Sequence, residues 1–304
     1  MTGVVLNEEL SRTSLIFIYA AMAFYTVAFI TFVWHLSRLS SEKKKIRKSA
    51  DALEIAGLWI LGVAAATHGA GVVMRGISAS RVPWANMYEF SISGSFIIVA
   101  IFLCALVVRD IRVIATFVSA FALLVLGAAT TLFYVQVKTL MPALQSYWLV
   151  IHVTVAVLAT SFFFIAAALS IAFLFAQAKW VKNGKGNITK LIRRVLSVFP
   201  KPKKMERLSY RFNVIGMILW TFTLIAGAIW AQKAWHRFWG WDTKEVWTFI
   251  IWTIYAGYAH ARATRGWDGA RAAWLSVVGF VAVLFNFTIV NLFFKGLHVY
   301  SGLK

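Results

Sequence analysis

The chain has 304 residues, of which 61% are hydrophobic and only 14% charged, with a formal net charge of +20. About a quarter of an ordinary soluble domain is charged, so this composition excludes one. Several apolar runs exceed the ~20 residues that cross ~30 Å of hydrocarbon, which predicts an all-α polytopic helical membrane protein.

Eight spans are expected, at about 14–36, 51–74, 89–108, 113–135, 148–178, 212–231, 246–262 and 272–295. The first is long enough to cross, and no small-residue cleavage site follows a short apolar core, so no cleavable signal is expected. His35 ends it beside Trp34 and reads as an interfacial residue. The second carries His68 in Ala64-Ala65-Ala66-Thr67-His68-Gly69-Ala70-Gly71. Those small neighbours let another helix or a flat cofactor approach closely. Arg75 and Arg81 follow, in a loop that runs to Pro83-Trp84-Ala85-Asn86-Met87-Tyr88-Glu89.

The third span holds Cys104, the one cysteine of the chain. Without a Cys-x-x-Cys the chain cannot run its own dithiol chemistry, and Cys104 reads as a small packing residue. His152 opens the fifth span, which is longer than one crossing needs. A basic loop, 179–211, separates it from the sixth. His260 lies in the seventh span, in Tyr258-Ala259-His260-Ala261-Arg262, and His298 follows the eighth, in Gly296-Leu297-His298-Val299-Tyr300-Ser301-Gly302. There are no paired carboxylates, no Gly-rich phosphate loop and no Ser-His-Asp pattern. A single integral membrane domain, 1–304, is expected, with an outer tryptophan-rich loop 232–246 and a cytoplasmic basic loop 179–211.

Orientation follows from the basic residues between spans. Alternate loops hold 22 of the 31 Lys and Arg residues, and that side is cytoplasmic by the positive-inside rule. Both termini, His152, His298 and the tryptophan-rich loop then share the outer face. The charge is not a nucleic-acid signal. It sits in short loops beside the membrane, where anionic lipid is the partner.

The most informative stretch is Trp235-His236-Arg237-Phe238-Trp239-Gly240-Trp241-Asp242-Thr243-Lys244-Glu245-Val246-Trp247. Tryptophan collects at membrane surfaces, so any one of these is explained by an interfacial belt. A belt does not call for Trp-x-x-x-Trp-x-Trp-Asp-x-Lys-Glu in one turn-rich segment. If the segment were helical, Trp235, Trp239 and Asp242 would share a face as an aromatic platform ending in a carboxylate.

This string resembles the "WWD" signature of haem-handling proteins, and its Asp-x-Lys-Glu ending resembles the CcsA/ResC branch (bacterial CcsB), the polytopic half of the System II cytochrome c synthase. The family pattern is roughly W-G-x-x-W-x-W-D-P-K-E. Here His236 stands at the usual Gly and Thr243 at the usual Pro. The stretches around His152 and His298, the positions of His68 and His260, and Pro83–Glu89 also resemble family motifs.

The resemblance implies haem b bound non-covalently in transit. His68 and His260 would ligate its iron inside the bundle, and His152 and His298 at the outer face, against Trp235, Trp239, Trp241 and Asp242. Chemistry agrees, because bis-histidine ligation takes one imidazole on each face of a flat ring. Membrane-interface histidines at 152 and 298, and hydrogen-bonded core histidines at 68 and 260, are the plain alternatives. Arg75 would suit a haem propionate.

The implied function is haem transport and presentation for attachment to the Cys-x-x-Cys-His of apocytochrome c. The implied partner is a Ccs1/ResB-type membrane protein, with a thioredoxin-like thiol reductant acting indirectly, in the bacterial cytoplasmic (plasma) membrane. The rival is a bis-histidine di-haem electron-transfer protein of the quinol or ferric reductase type. Reporter fusions at Asn187 and Lys304 should give opposite signals, and equal signals would overturn the assigned orientation.

Overall fold

The structure is a computed structural model that describes residues 6–39, 44–141, 144–197, 199–294 and 296–298. The two chain ends, and with them the close of the last histidine motif, lie outside the described residues. The chain is all-α. The helices are α1 (Glu8–Leu39), α2 (Lys44–Ser78), α3 (Met87–Val108), α4 (Ala115–Leu132), α5 (Tyr147–Gln177), α6 (Lys179–Asn183), α7 (Asn187–Ser197), α8 (Pro202–Trp235), α9 (Thr243–Arg265) and α10 (Ala270–Phe285). A π-turn, Asn286–Val290, carries α10 on to Phe293.

Among the described residues, seven helices are long and apolar enough to cross a membrane. The seventh expected span, α9, is the one not among them; it forms as a helix of 23 residues, about 34 Å long at 1.5 Å per residue. It falls short on composition because its ends carry Lys244, Glu245, Arg262 and Arg265 and its middle carries Trp, Tyr and Thr. Those polar tips are used: Trp220 Nε1 donates to Thr248 O (3.1 Å) and Trp252 Nε1 to Thr221 Oγ1 (3.0 Å), stitching α8 to α9. The basic loop contains α6, α7 and the first turns of α8, whose Pro202 sits at the helix start, where a missing N–H is harmless.

Two groups of helices meet along α3 and α5. In one, α1 packs on α2 and α4, with α3 against α2 and α4; in the other, α5 packs on α8 and α10, and α9 on α8 and α10. Most buried apolar side chains form one continuous core. A separate cluster, built on Leu144, Leu149, Val153, Val157 and Trp230, lies against Trp84, Phe90, Trp148 and Trp235.

The loop after α2 is fixed by buried charge. Glu89 is fully buried and accepts from Arg75 Nε (3.1 Å), Arg81 Nη1 (2.6 Å), Arg81 Nη2 (3.0 Å) and the Ala85 N–H (3.0 Å). Asn86 caps α3 by accepting from Glu89 N (2.9 Å), and the Arg75 guanidinium lies over Tyr88. The Pro83–Glu89 motif is therefore a helix start locked by an ion cluster. Glu89→Ala would leave two buried guanidiniums without a counter-charge. It should destabilise the chain by about 3–5 kcal/mol, read as a lowered thermal unfolding midpoint in detergent, with a smaller loss for Glu89→Gln.

Candidate functional site

The tryptophan-rich segment does not continue a helix. α8 stops at Trp235 because His236 turns left-handed (φ 58°), its N–H closing on Gln232 O at 3.0 Å. α9 starts at Thr243, where Asp242 and Glu245 form a capping box. So Trp235, Trp239 and Asp242 do not share one helical face, and the expected flat platform is replaced by rings pointing in different directions. Trp239 and Trp241 meet edge-to-face at 5.9 Å; Trp239 lines a cavity, while Trp241 is 75% exposed. Both departures from the family pattern now have physical reasons. A left-handed cap favours Gly, and His236 takes it as an exposed residue away from the cavity lining. Thr243 is the first helical residue, the position Pro prefers.

Asp242 also reaches across to the segment after α10. Its Oδ2 accepts from His298 Nδ1 at 2.8 Å and from the His298 backbone N–H at 3.3 Å. Gly296 permits this approach, since a Cβ there would collide with the Asp242 carboxylate. Partial burial alone would raise the Asp242 carboxyl. The hydrogen bond and charge of His298, with the N–H groups of Lys244 and His298, outweigh it and hold the pKa at about 2. The carboxylate therefore only accepts, and Nδ1 of His298 carries the proton.

His152, on the first turns of α5, is held by α8. Its Nδ1 lies 2.9 Å from the Thr223 carbonyl, which can only accept, so this nitrogen too is the protonated one. Gly227 makes the space: a Cβ there would lie 2.8 Å from the imidazole. In a neutral ring, each histidine then keeps Nε2 as a lone pair, the form in which an imidazole ligates a metal; a carbonyl or carboxylate on the other nitrogen is the usual support for such a ligand.

Trp230, 2% exposed, links the two histidines. It stacks on His152 (5.9 Å, 17°) and meets His298 edge-on (5.5 Å, 68°); Trp235 lies 4.7 Å from His298 and 4.8 Å from Trp230. Both histidines line a cavity of about 270 Å³, with Trp84, Phe90, Trp220, Phe238, Trp239 and Phe287. The wall is largely apolar, with several aromatic rings, and suits a flat apolar ligand. Thr223, Gly227 and Trp230 were not singled out from the sequence, because they sit inside an ordinary apolar run. Their one signal is that Gly227 and Trp230 precede Trp235 on the same helix.

A family model described as Cytochrome C assembly protein matches residues 84–298, which include this cavity's histidines and the tryptophan segment. The chain belongs to the cytochrome c assembly protein family, in its CcsA-type branch. Cytochrome c biogenesis protein CcsA of Synechococcus elongatus is 34% identical over 292 residues, covering 84% of this chain and 89% of that protein. CcsA of Prochlorococcus marinus is 34% identical over 252 residues, 76% of this chain and 79% of the relative. Among solved structures, Cytochrome c Heme Lyase CcmF matches with a TM-score of 0.62 at 15% identity, over 91% of this chain and 46% of that one. The chain thus spans about half the length of the lyase, and the likeness is one of fold.

The family match starts after α2, so His68 and Arg75 stand on their surroundings. His68 is fully buried between Tyr25 and Phe96, with Nδ1 3.1 Å from Tyr25 Oη and Nε2 unpartnered. His260 is exposed on α9. α2 packs on α1 and α3 while α9 packs on α8 and α10, so this chain by itself does not bring the two together. Arg75, expected to face a propionate, is buried with its guanidinium on Glu89, Ser11 Oγ and Val135 O; low-dielectric burial commits it to the ion cluster. His35 is paired with Glu54 across α1 and α2.

The Asp242–His298 contact sets a pH dependence. The ordinary carboxyl value is 3.8 and the folded one about 2. The stability it contributes is therefore complete above about pH 4 and is lost as pH falls through about 2. Hydrogen exchange at the His298 amide should rise over that window. Asp242→Ala should show the fast exchange already at neutral pH, with a cap loss of about 0.5–2 kcal/mol.

Proposed function

We propose that this chain carries haem as its substrate and presents it at the outer cavity for covalent attachment to an apocytochrome c, as the polytopic subunit of a System II synthase. One observation carries the reading. Two histidines from distant elements, α5 and the segment after α10, line one aromatic cavity, each with Nδ1 held and Nε2 left over. That arrangement fits a flat iron porphyrin, with the two imidazoles as axial ligands and Trp235 and Trp239 as apolar surround. The fold shared with CcmF, a cytochrome c haem lyase, is consistent with the same chemistry.

In attachment, each cysteine S–H of a Cys-x-x-Cys-His adds across a vinyl C=C of the porphyrin, so nothing leaves and no net oxidation occurs. The chain's own residues position and desolvate; none of them is asked for acid–base chemistry. Lacking a Cys-x-x-Cys, the chain would rely on a thioredoxin-like reductant for the apocytochrome thiols, and on a ResB-type membrane partner. His68, with its orphan Nε2, and His260 would form an inner ligand pair once the two helix groups approach each other. Arg-rich and Lys-rich loops on the opposite face would lie against anionic lipid of the bacterial plasma membrane.

His152→Ala and His298→Ala should each abolish c-type cytochrome formation while the protein stays inserted in the membrane. Added imidazole should restore part of it by filling the vacant axial position. His68→Ala and His260→Ala should lower haem content, again with partial imidazole rescue. Normal cytochrome c levels in both outer variants would sink the assembly reading in favour of bis-histidine electron transfer.

A further inference from the structure

The cavity is apolar over most of its wall, and a cation stands at one place in it. Lys244, in the first turn of α9, donates to Asn286 O (2.7 Å) and Asn291 Oδ1 (2.8 Å). Both acceptors are uncharged. Asn286 opens the π-turn of α10; π-turns break the regular carbonyl ladder and recur at functional sites.

Among the described residues, no carboxylate lies within ion-pair distance of the Lys244 ammonium. The two acids nearest in sequence are engaged elsewhere. Asp242 is bound to His298. Glu245 holds the Gly240 and Asp242 N–H groups (2.7 and 3.1 Å) through Oε2, and its charge faces Arg237 at 3.8 Å. An ammonium enclosed without a counter-ion is an unfilled anion position, since charges withdrawn from water are normally paired.

Three more cavity residues carry unpartnered polar atoms; one is Glu245, whose Oε1 has no partner while Oε2 is held by backbone N–H groups. Asn286 is 6% exposed with Oδ1 unpartnered, and Ser91, on α3, is 3% exposed with Oγ unpartnered. The two ends of a side-chain amide interchange on a half-turn, so Asn286 can present N–H, and a hydroxyl can donate as readily as accept. An ammonium, an amide and a hydroxyl are what a carboxylate binds.

We propose that Lys244, Asn286 and Ser91 form a carboxylate subsite within the cavity, which selects a flat apolar ligand bearing an acid arm. The proposal rests on the haem reading above, under which the acid arm is a haem propionate. It replaces Arg75, whose three guanidinium nitrogens each already donate within the buried cluster, with a cation from the Asp-x-Lys-Glu motif itself.

The test is a titration of the purified full-length chain in detergent with iron protoporphyrin IX and with its dimethyl ester. The wild-type chain should bind the free acid about tenfold or more tightly than the ester, as a charge-assisted hydrogen bond in a dry site would give. Lys244→Met should bring the ratio close to one by weakening the acid while leaving the ester unchanged. Asn286→Asp, which places a carboxylate beside the ammonium, should do the same. Equal wild-type affinity for acid and ester would overturn the subsite, as would an undiminished preference in both variants. The ester reports whether the cavity survives the substitutions, and the wild-type comparison of ligands stands even if a variant does not fold. Binding of neither porphyrin would instead strike the haem reading on which the subsite rests.

Discussion

The carboxylate of Asp242 joins three parts of one end of the bundle. It caps α9, receives Nδ1 of His298, and receives the His298 backbone N–H. Without it Lys244, bound to Asn286 and Asn291, still ties the start of α9 to the chain beyond α10, but the His298 ring loses the partner that fixes its proton. The geometry depends on two local concessions. Gly296 has no side chain to block the approach. His236 accepts a left-handed backbone so that α8 can stop and the loop can return. A short, charge-assisted contact of this kind is roughly twice as strong as a neutral hydrogen bond, which is enough to define one ring orientation.

Elsewhere the bundle keeps its charges in closed sets. Glu89 is shared by Arg75 and Arg81, and Glu206 is held by Arg262 and by the Gly269 N–H. Breaking such a set strands a charge where water cannot reach it, so these clusters fix loops and helix ends rather than offering binding groups. The same rule gives the outer cavity its character. His152 and His298 are each tied through one nitrogen only, and Lys244 is tied to neutral oxygens. His152, His298 and Lys244 line one apolar cavity, where a ligand can meet them.

The family match runs over residues 84–298, from α3 onward, and stops short of α1 and α2. The inner histidines divide along that line. His68 belongs to the α1–α3 group and His260 to the α8–α10 group. The two groups share one continuous apolar core along α3 and α5, so the histidines lie in different groups of a single packed bundle.

The sequence by itself determined the class of protein and where its crossings lie. Runs of twenty apolar residues have no other stable home, and seven of the eight expected crossings answer to that rule. It also determined that the tryptophan segment and the outer histidines mattered, because aromatic and imidazole side chains at that density need a reason. Tertiary structure decided what those residues do. Periodicity suggested one helical face for Trp235, Trp239 and Asp242, but a left-handed residue at 236 and a cap at 242 cut the helix between them. It placed Thr223, Gly227 and Trp230 around His152 from a span that reads as uniform hydrocarbon. It also closed Arg75 into a buried cluster and left Lys244 open. Spacing along the chain reports which residues can share an element. Which nitrogen is pinned, which cation is held only by neutral oxygens and which ring faces a cavity depend on contacts between elements far apart in sequence, and those exist only once the helices have packed.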